Sequence, residues 1–400
     1  MMSNQKKILV IDDEKNIRET LSELLVFCDY EVIIAKNGLE GIESAEQQSP
    51  DLIICDIMMP ELDGYEVAKR IRRNDKMAMI PFIFLSAKSS NHDFRKGLGL
   101  GADDYLIKPF SNQELIDTVA MRLERVKSIK SDNKNLKDSI NNAKNIQNVI
   151  LPKDDEIRKV FQKNFKIYMP RDVVSGDFFW MNEGNSHSHL AVADCTGHGG
   201  PGAMLSMVCY EKLNAVAAIN KDISPGNLLT MVNGMIYDFM LSHNNEAPIR
   251  DGMDIAMCMI DKKQQTLSFS GAARPLYIIT EQKLEEGDLL IKHNSDGKRA
   301  LYELKGDIYS IGASNRNHVF TEQTIPIVKS DRVFLFSDGY TDQFGGEKDK
   351  KYNRLRLRNT LLSSHELSIE DQKNLLEKEL HDWMGKQEQT DDITLMALEI

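Results

Sequence analysis

Paired cysteine motifs are missing from this chain. Its five cysteines (Cys28, Cys55, Cys195, Cys209 and Cys258) are scattered, odd in number and never in a CxxC spacing. That pattern suits reduced thiols better than a disulfide framework or a cysteine zinc site. Long hydrophobic runs are absent as well: no stretch of about 18 apolar residues occurs, so no membrane insertion is expected. The opening MMSNQKK runs straight into ILVIDD without an apolar signal region or cleavage site, which predicts a soluble, cytoplasmic protein. Positive charge is in short supply, with 50 Lys and Arg against 61 Asp and Glu and a formal charge of −11. This argues against bulk affinity for nucleic acid or anionic lipid, both of which need a basic surface.

What is present is ordinary for a globular chain, 41% hydrophobic and 28% charged. At 400 residues it exceeds one compact core and suits two domains plus a connector. In residues 1–125 the apolar runs ILVI (8–11), EVIIA (31–35), DLIICDI (51–57), PFIFLSA (81–87) and DYLIKPF (104–110) alternate with helical stretches near 15–27, 38–47, 64–73, 91–100 and 111–124. Short continuous β-branched runs read as buried parallel strands, so the alternation predicts a five-stranded, doubly wound α/β domain. Such sheets bind ligands beyond the carboxyl ends of their strands. Asp12 and Asp13 follow the first strand, Asp56 ends the third, Ser86 the fourth and Lys108 the fifth. Three converging carboxylates repel one another unless they share a cation, and oxygen-only ligands select Mg²⁺. A lysine and a hydroxyl beside them would neutralise a phosphoryl group carried on one carboxylate. Pro109 restricts the backbone at Lys108 and aims the amine back at the site. The run Gly97-Leu98-Gly99-Leu100-Gly101 precedes a strand instead of following one, so it reads as a helix end and not a phosphate cradle.

With IDDE, DIMMPELDG, FLSA and GADDYLIKPF in order, residues 6–125 resemble response-regulator receiver domains. The resemblance implies that Asp56 accepts the phosphoryl group from a sensor histidine kinase. Asp13, Asp56 and the Met58 carbonyl would ligate Mg²⁺ directly and Asp12 through water. Ser86, here in place of the commoner threonine, and Lys108 would contact the phosphoryl group, and Tyr105 would be the switch aromatic coupled to Ser86.

Residues 111–152 have no glycine, and their one proline is Pro152, where a helix would stop. A heptad places Val119, Val126, Asn133, Ile140 and Gln147 at a, and Arg122, Ile129, Leu136, Ala143 and Ile150 at d. That predicts a helical connector continuous with the last receiver helix and forming a dimeric coiled coil, with Asn133 favouring a two-stranded register.

Residues 153–400 hold strand-length apolar runs, including DFFWM, HLAVADC, DIAMCMID, TLSFSGA, PLYIIT, RVFLFSDG and ITLMALEI, and two helices introduced by GHGGPG and SPG. They predict an α+β domain of two antiparallel sheets flanked by helices, with residues 281–307 a polar, hairpin-like elaboration. Asp177, Asp194, Asp338 and Asp391 each stand at a strand end beside glycine or another aspartate. A carboxylate cage without His or Cys favours Mg²⁺ or Mn²⁺ over zinc, and two such ions would clamp a phosphate and activate a water.

The stretches AKNIQNVILP, MPRDVVSGDFFW, VADCTGHGGPGAMLSM, DGMDIAMC, FSGAARPLYII, LFSDGYTDQFGG and QTDDITLMAL resemble, over nearly all of 145–400, the SpoIIE-type branch of the PPM metal-dependent protein phosphatases. The resemblance implies that Asp177, Asp194, Asp338 and Asp391 are the catalytic metal ligands and that the Cys195 carbonyl completes one shell. Asp392 and Asp254 stand nearby as further candidates, and Gly176, Gly197 and Gly339 keep the backbone open. His198 is a candidate general acid, or a helix-start cap or packing residue. Arg171 is a candidate phosphate contact or a solvated charge, and Arg274 is read the same way. The implied reaction is hydrolysis of phosphoserine or phosphothreonine on a protein, by analogy a STAS-domain anti-sigma-factor antagonist, under control of Asp56. The competing expectation is a partner-switching scaffold without hydrolysis.

Overall fold

Five short apolar runs of the N-terminal part become five parallel strands because both of their faces are covered. The computed structural model describes residues 5–87, 103–184, 186–242, 251–313 and 315–400. It divides into two compact units, Met1–Lys137 and Asp138–Ile400. In the first unit β1 (Lys7–Ile11), α1 (Lys15–Phe27), β2 (Glu31–Ala35), α2 (Gly38–Gln48), β3 (Leu52–Asp56), α3 (Gly64–Arg73), β4 (Phe82–Ser86), β5 (Asp104–Ile107) and the start of α4 (Asn112–Ile150) follow in order. The sheet order is β2-β1-β3-β4-β5, all parallel. Alternate residues of each strand serve opposite faces. Leu9, Ile11, Ile53, Cys55 and Phe84 pack with Val67, Ala68 and Ile71 of α3, whereas Ile8, Val10, Ile54, Ile83 and Leu85 pack with Leu21 and Leu25 of α1 and Leu115 and Val119 of α4. The side chains of Asn37 and Asp63 cap α2 and α3 by accepting the N–H groups of Glu40 and Glu66. The helix expected at 91–100 and the glycine run 97–101 lie outside the described residues.

The helix α4 runs for 39 residues and ends two residues before Pro152. Its use differs from the heptad expectation at three positions. Val119 is buried in the first unit's core, Arg122 pairs with Asp104 at 2.6 Å, and Gln147 is buried in the second unit. There the Gln147 side-chain amide donates to the Ser175 carbonyl (2.6 Å), and its oxygen accepts the Ser175 N–H (3.1 Å). Between these anchors Ile129 and Leu136 are 44% and 58% exposed.

In the second unit come α5 (Asp154–Val160), β6 (Lys163–Met169), β7 (Phe178–Glu183), β8 (His187–Cys195), α6 (Gly199–Ile219), α7 (Pro225–Ser242), β9 (Met253–Asp261), β10 (Thr266–Ala272), β11 (Leu276–Thr280), β12 (Leu290–Ser295), β13 (Ala300–Leu304), β14 (Gln323–Pro326), β15 (Arg332–Phe336), α8 (Gly339–Asp342), the small hairpin β16 (Phe344–Gly345) and β17 (Lys350–Lys351), α9 (Arg354–Ser363), α10 (Ile369–Met384) and β18 (Ile393–Glu399). Two antiparallel sheets form, ordered β14-β10-β9-β8-β7 and β12-β13-β11-β15-β18-β6. Val192, Cys258, Phe269, Ile278, Leu335 and Met396 meet between the sheets. On the outer face of the first sheet, Trp180, Ala191 and Met257 pack on Cys209, Leu213 and Val232 of α6 and α7. On the outer face of the second, Phe334, Phe336 and Leu395 pack on Leu357, Leu361, Leu376 and Leu380 of α9 and α10. Both sheets are therefore covered on both faces, which is why their strands read as continuous apolar runs. Two antiparallel sheets flanked by helices are as the sequence predicts, and α9 and α10 supply the set on the second sheet. The 281–307 segment supplies the hairpin β12–β13, which extends the second sheet past β11.

Candidate functional site

The first unit gathers its charges where β1 and β3, neighbours in the sheet, end. Asp12 follows β1, Asp56 ends β3, and Lys108 follows β5. The Lys108 ammonium lies 2.9 Å from Asp12 Oδ2 and 2.6 Å from Asp56 Oδ1. Both carboxylates are oriented from the backbone, since Glu14 N–H donates to Asp12 Oδ1 and Met58 N–H to Asp56 Oδ2, each at 2.8 Å. Burial pushes the Asp12 carboxyl above its usual range despite the lysine. Burial alone would lower the Lys108 ammonium, but its bonds to Asp56 and Asp12 outweigh that and raise it. Ser86 is buried at the end of β4, and its carbonyl accepts the Lys108 N–H (2.7 Å). Tyr105 on β5 packs edge-on against Phe84 at 6.3 Å, with β4 between it and Asp56 on β3. The Asp13 and Met58 side chains are exposed. This hard-oxygen set fits Mg²⁺.

The second unit brings its acidic residues together from both sheets. Antiparallel register sets Asp194 of β8 opposite Asp254 of β9, while Phe178, next to Asp177, pairs with Ala193. From the other sheet, Asp338 follows β15 and Asp391 precedes β18, two strands that pair. Asp177 is only 1% exposed, and its Oδ2 has no hydrogen-bond partner. Burial, followed by the negative charge of Asp194, drives the Asp177 carboxyl far above its ordinary range. Asp194 is raised by burial and by Asp338, Asp391 and Asp254, with Arg274 opposing. Asp391 is raised chiefly by burial. A buried carboxylate oxygen without a donor, beside further carboxylates, fits a hard divalent cation. Gly176 permits the close approach of chain segments here: a Cβ at this position would lie 2.6 Å from the Gly197 carbonyl oxygen and 3.1 Å from that of Cys195.

Arg274 departs most from the sequence reading. It is not a solvated charge: it is 8% exposed, and its Nη2 lies 2.6 Å from Asp194, 2.7 Å from Asp338 and 3.2 Å from Asp254. Asp254 also accepts the Ser310 hydroxyl, a partner with no signal in the sequence. Asp392 is buried, and its two oxygens accept the N–H groups of Arg171 and Gly176, each at 2.7 Å, so it anchors the loop before β7. Arg171 contributes that N–H from an exposed position. His198 occupies the position before α6 without capping it; its Nδ1 pairs with Asp172 at 2.8 Å, correcting the cap expectation.

Residues 8–120 match the response regulator receiver domain family, and residues 184–400, more than half of the chain, match the family Stage II sporulation protein E (SpoIIE). Asp177 precedes the second match. The probable transcriptional regulator ycf27 of Cyanophora paradoxa is 39% identical over 167 residues, 42% of this chain and 66% of that protein. The alkaline phosphatase synthesis transcriptional regulatory protein PhoP of Bacillus subtilis (strain 168) is 46% identical over 120 residues, 30% of this chain and 49% of that protein. The chain thus spans about half to two thirds of the length of these relatives. Among solved structures, the SiaA-PP2C domain of Pseudomonas aeruginosa is similar with a TM-score of 0.57 and 26% identity, covering 67% of this chain and 98% of that one. No helix among the described residues is long and apolar enough to cross a membrane.

Proposed function

Because the chain belongs to the SpoIIE family and carries a response regulator receiver domain ahead of the family match, we propose that it is a receiver-controlled, metal-dependent protein phosphatase acting on phosphoserine or phosphothreonine. The observation that carries this reading is the convergence of Asp194, Asp254 and Asp338 on one buried cationic group, with Asp177 holding an unpartnered oxygen. Carboxylates at such density keep their charge only with cations among them. Asp177, Asp194, Asp338 and Asp391, with the Cys195 carbonyl, are the residues to hold two Mn²⁺ or Mg²⁺ ions. When bound, such ions supply charge for the phosphate and a water acidic enough to attack it in line. Asp392 fixes the loop that leads into Asp177, and Ser310 holds Asp254, the cross-strand neighbour of Asp194.

In the receiver, Asp56 is the phosphoryl acceptor; Asp13, Asp56 and the Met58 carbonyl would hold Mg²⁺ directly and Asp12 through water. Lys108 already bonds to the Asp56 carboxylate and would follow the charge onto the phosphoryl oxygens. Ser86 and Tyr105 carry the change away from the site. A sensor histidine kinase is the phosphodonor, and by family resemblance the substrate is a phosphorylated STAS-domain anti-sigma-factor antagonist. The exposed middle of α4, with Ile129, Asn133 and Leu136, is proposed as the seam of a homodimer.

Hydrolysis of p-nitrophenyl phosphate and of a phosphoserine protein with Mn²⁺ tests the reading. Wild type should turn over both, and Asp338→Asn should lose at least about a hundredfold. Equal rates in the two proteins, or no metal-dependent rate in wild type, would reject catalysis here and favour the scaffold.

A further inference from the structure

Arg274 is delivered to the carboxylates by a rigid loop between β10 and β11. Ala273 takes a left-handed φ of 57°, and its N–H donates to the Asp307 carbonyl at 2.6 Å. Gly271 lies so close beneath that a Cβ there would come within 2.3 Å of the Arg274 carbonyl oxygen. The guanidinium presents one nitrogen, Nη2, to carboxylates of both sheets: Asp194 on β8 and Asp338 after β15. Its Nε is buried without a partner, so the rest of the group does not hold it in this pose. A hard cation held by Asp194 and Asp338 would draw on the same two carboxylates that Arg274 engages. Two cations sharing those carboxylates repel each other. Beside Arg274 a cleft of about 350 Å³, lined by Pro275, Lys305, Asp307, Ile308 and Arg354, offers the side chain room to withdraw.

We propose that Arg274 is a resident counter-cation of this cluster, and that its guanidinium and the divalent ions compete for Asp194 and Asp338. The inference rests on the metal-dependent reading given above. Arg274 would then be a positioning residue that holds the carboxylates together and sets the metal concentration at which the cluster loads.

The test is Mn²⁺ binding to the full chain by titration calorimetry, comparing wild type, Asp338→Asn, Arg274→Met and Arg274→Lys. The binding event lost in Asp338→Asn belongs to this cluster and is separated from the receiver's. Arg274→Met should tighten that event by about tenfold or more, and Arg274→Lys, which restores a charge, should return most of the difference. In wild type, modification of Arg274 by phenylglyoxal, followed by peptide mass spectrometry, should accelerate severalfold on adding Mn²⁺. That measurement decides the matter should Arg274→Met fail to fold. An Asp338-dependent event that is unchanged or weaker in Arg274→Met, or an Arg274 modification rate that does not rise with Mn²⁺, overturns the competition alone. Absence of any Asp338-dependent event in wild type overturns the metal-dependent reading together with it.

Discussion

Asp392 differs from its neighbours in the acidic cluster because both its oxygens accept backbone N–H groups. Asp392→Ala would leave those donors orphaned, and is expected to destabilise the second unit by about 2–4 kcal/mol in urea unfolding without metal. An unchanged midpoint would show that water replaces the carboxylate. His365 works in the opposite sense. Both of its ring nitrogens are buried without partners, and burial, followed by the charges of Arg332 and Arg299, lowers its pKa to about 4. The unfolded chain, with an ordinary histidine pKa of about 6.5, binds the proton more readily. Stability is therefore fully present above about pH 6.5 and is lost as pH falls toward 4, by at most about 3 kcal/mol. His365→Gln should flatten the dependence of the urea midpoint on pH within that window; an unaltered slope would assign the acid sensitivity elsewhere. The strand-end aspartates were legible in the sequence because their chemistry depends on what ends a strand. The place of Arg274 was not, since its three partners come from three separate segments and only the fold brings them to one nitrogen.

Among the elements, strands were easier to recognise than helices. The strand runs sit between two apolar layers and so carry few polar residues, whereas α9 and α10 bury a narrow stripe (Leu357, Leu361, Leu376, Leu380) within a charge-rich stretch. Leu380→Ala should cost about 2–5 kcal/mol if that stripe is core, and a loss under 1 kcal/mol in urea unfolding would place it at the surface. The helix α4 shows the limit of periodicity, because a heptad does not say which partner a position meets. Val119 and Gln147 fit the repeat yet are buried within their own units, which leaves Val126 to Ile140 for an intermolecular seam. If that seam forms, light scattering should give a dimer at micromolar concentration, and Ile129→Asp with Leu136→Asp should give a monomer. A wild-type monomer would leave α4 as a solvated connector.

For the molecule as a whole, two acidic centres of the same design recur in units of different topology. One is a parallel sheet with Asp12 and Asp56 on Lys108, and the other is a pair of antiparallel sheets with Asp194, Asp254 and Asp338 on Arg274. One helix enters the cores of both units, through Leu115 and Val119 in the first and Gln147 in the second. That shared element is the route by which chemistry at Asp56 is proposed to alter hydrolysis at the second centre. The direct test is the Mn²⁺-dependent rate on a phosphoserine protein with and without beryllofluoride, which mimics the phosphorylated aspartate, in wild type and in Asp56→Asn. The account predicts that beryllofluoride changes the wild-type rate severalfold and leaves Asp56→Asn unaffected. Equal wild-type rates with and without it would contradict control by the receiver.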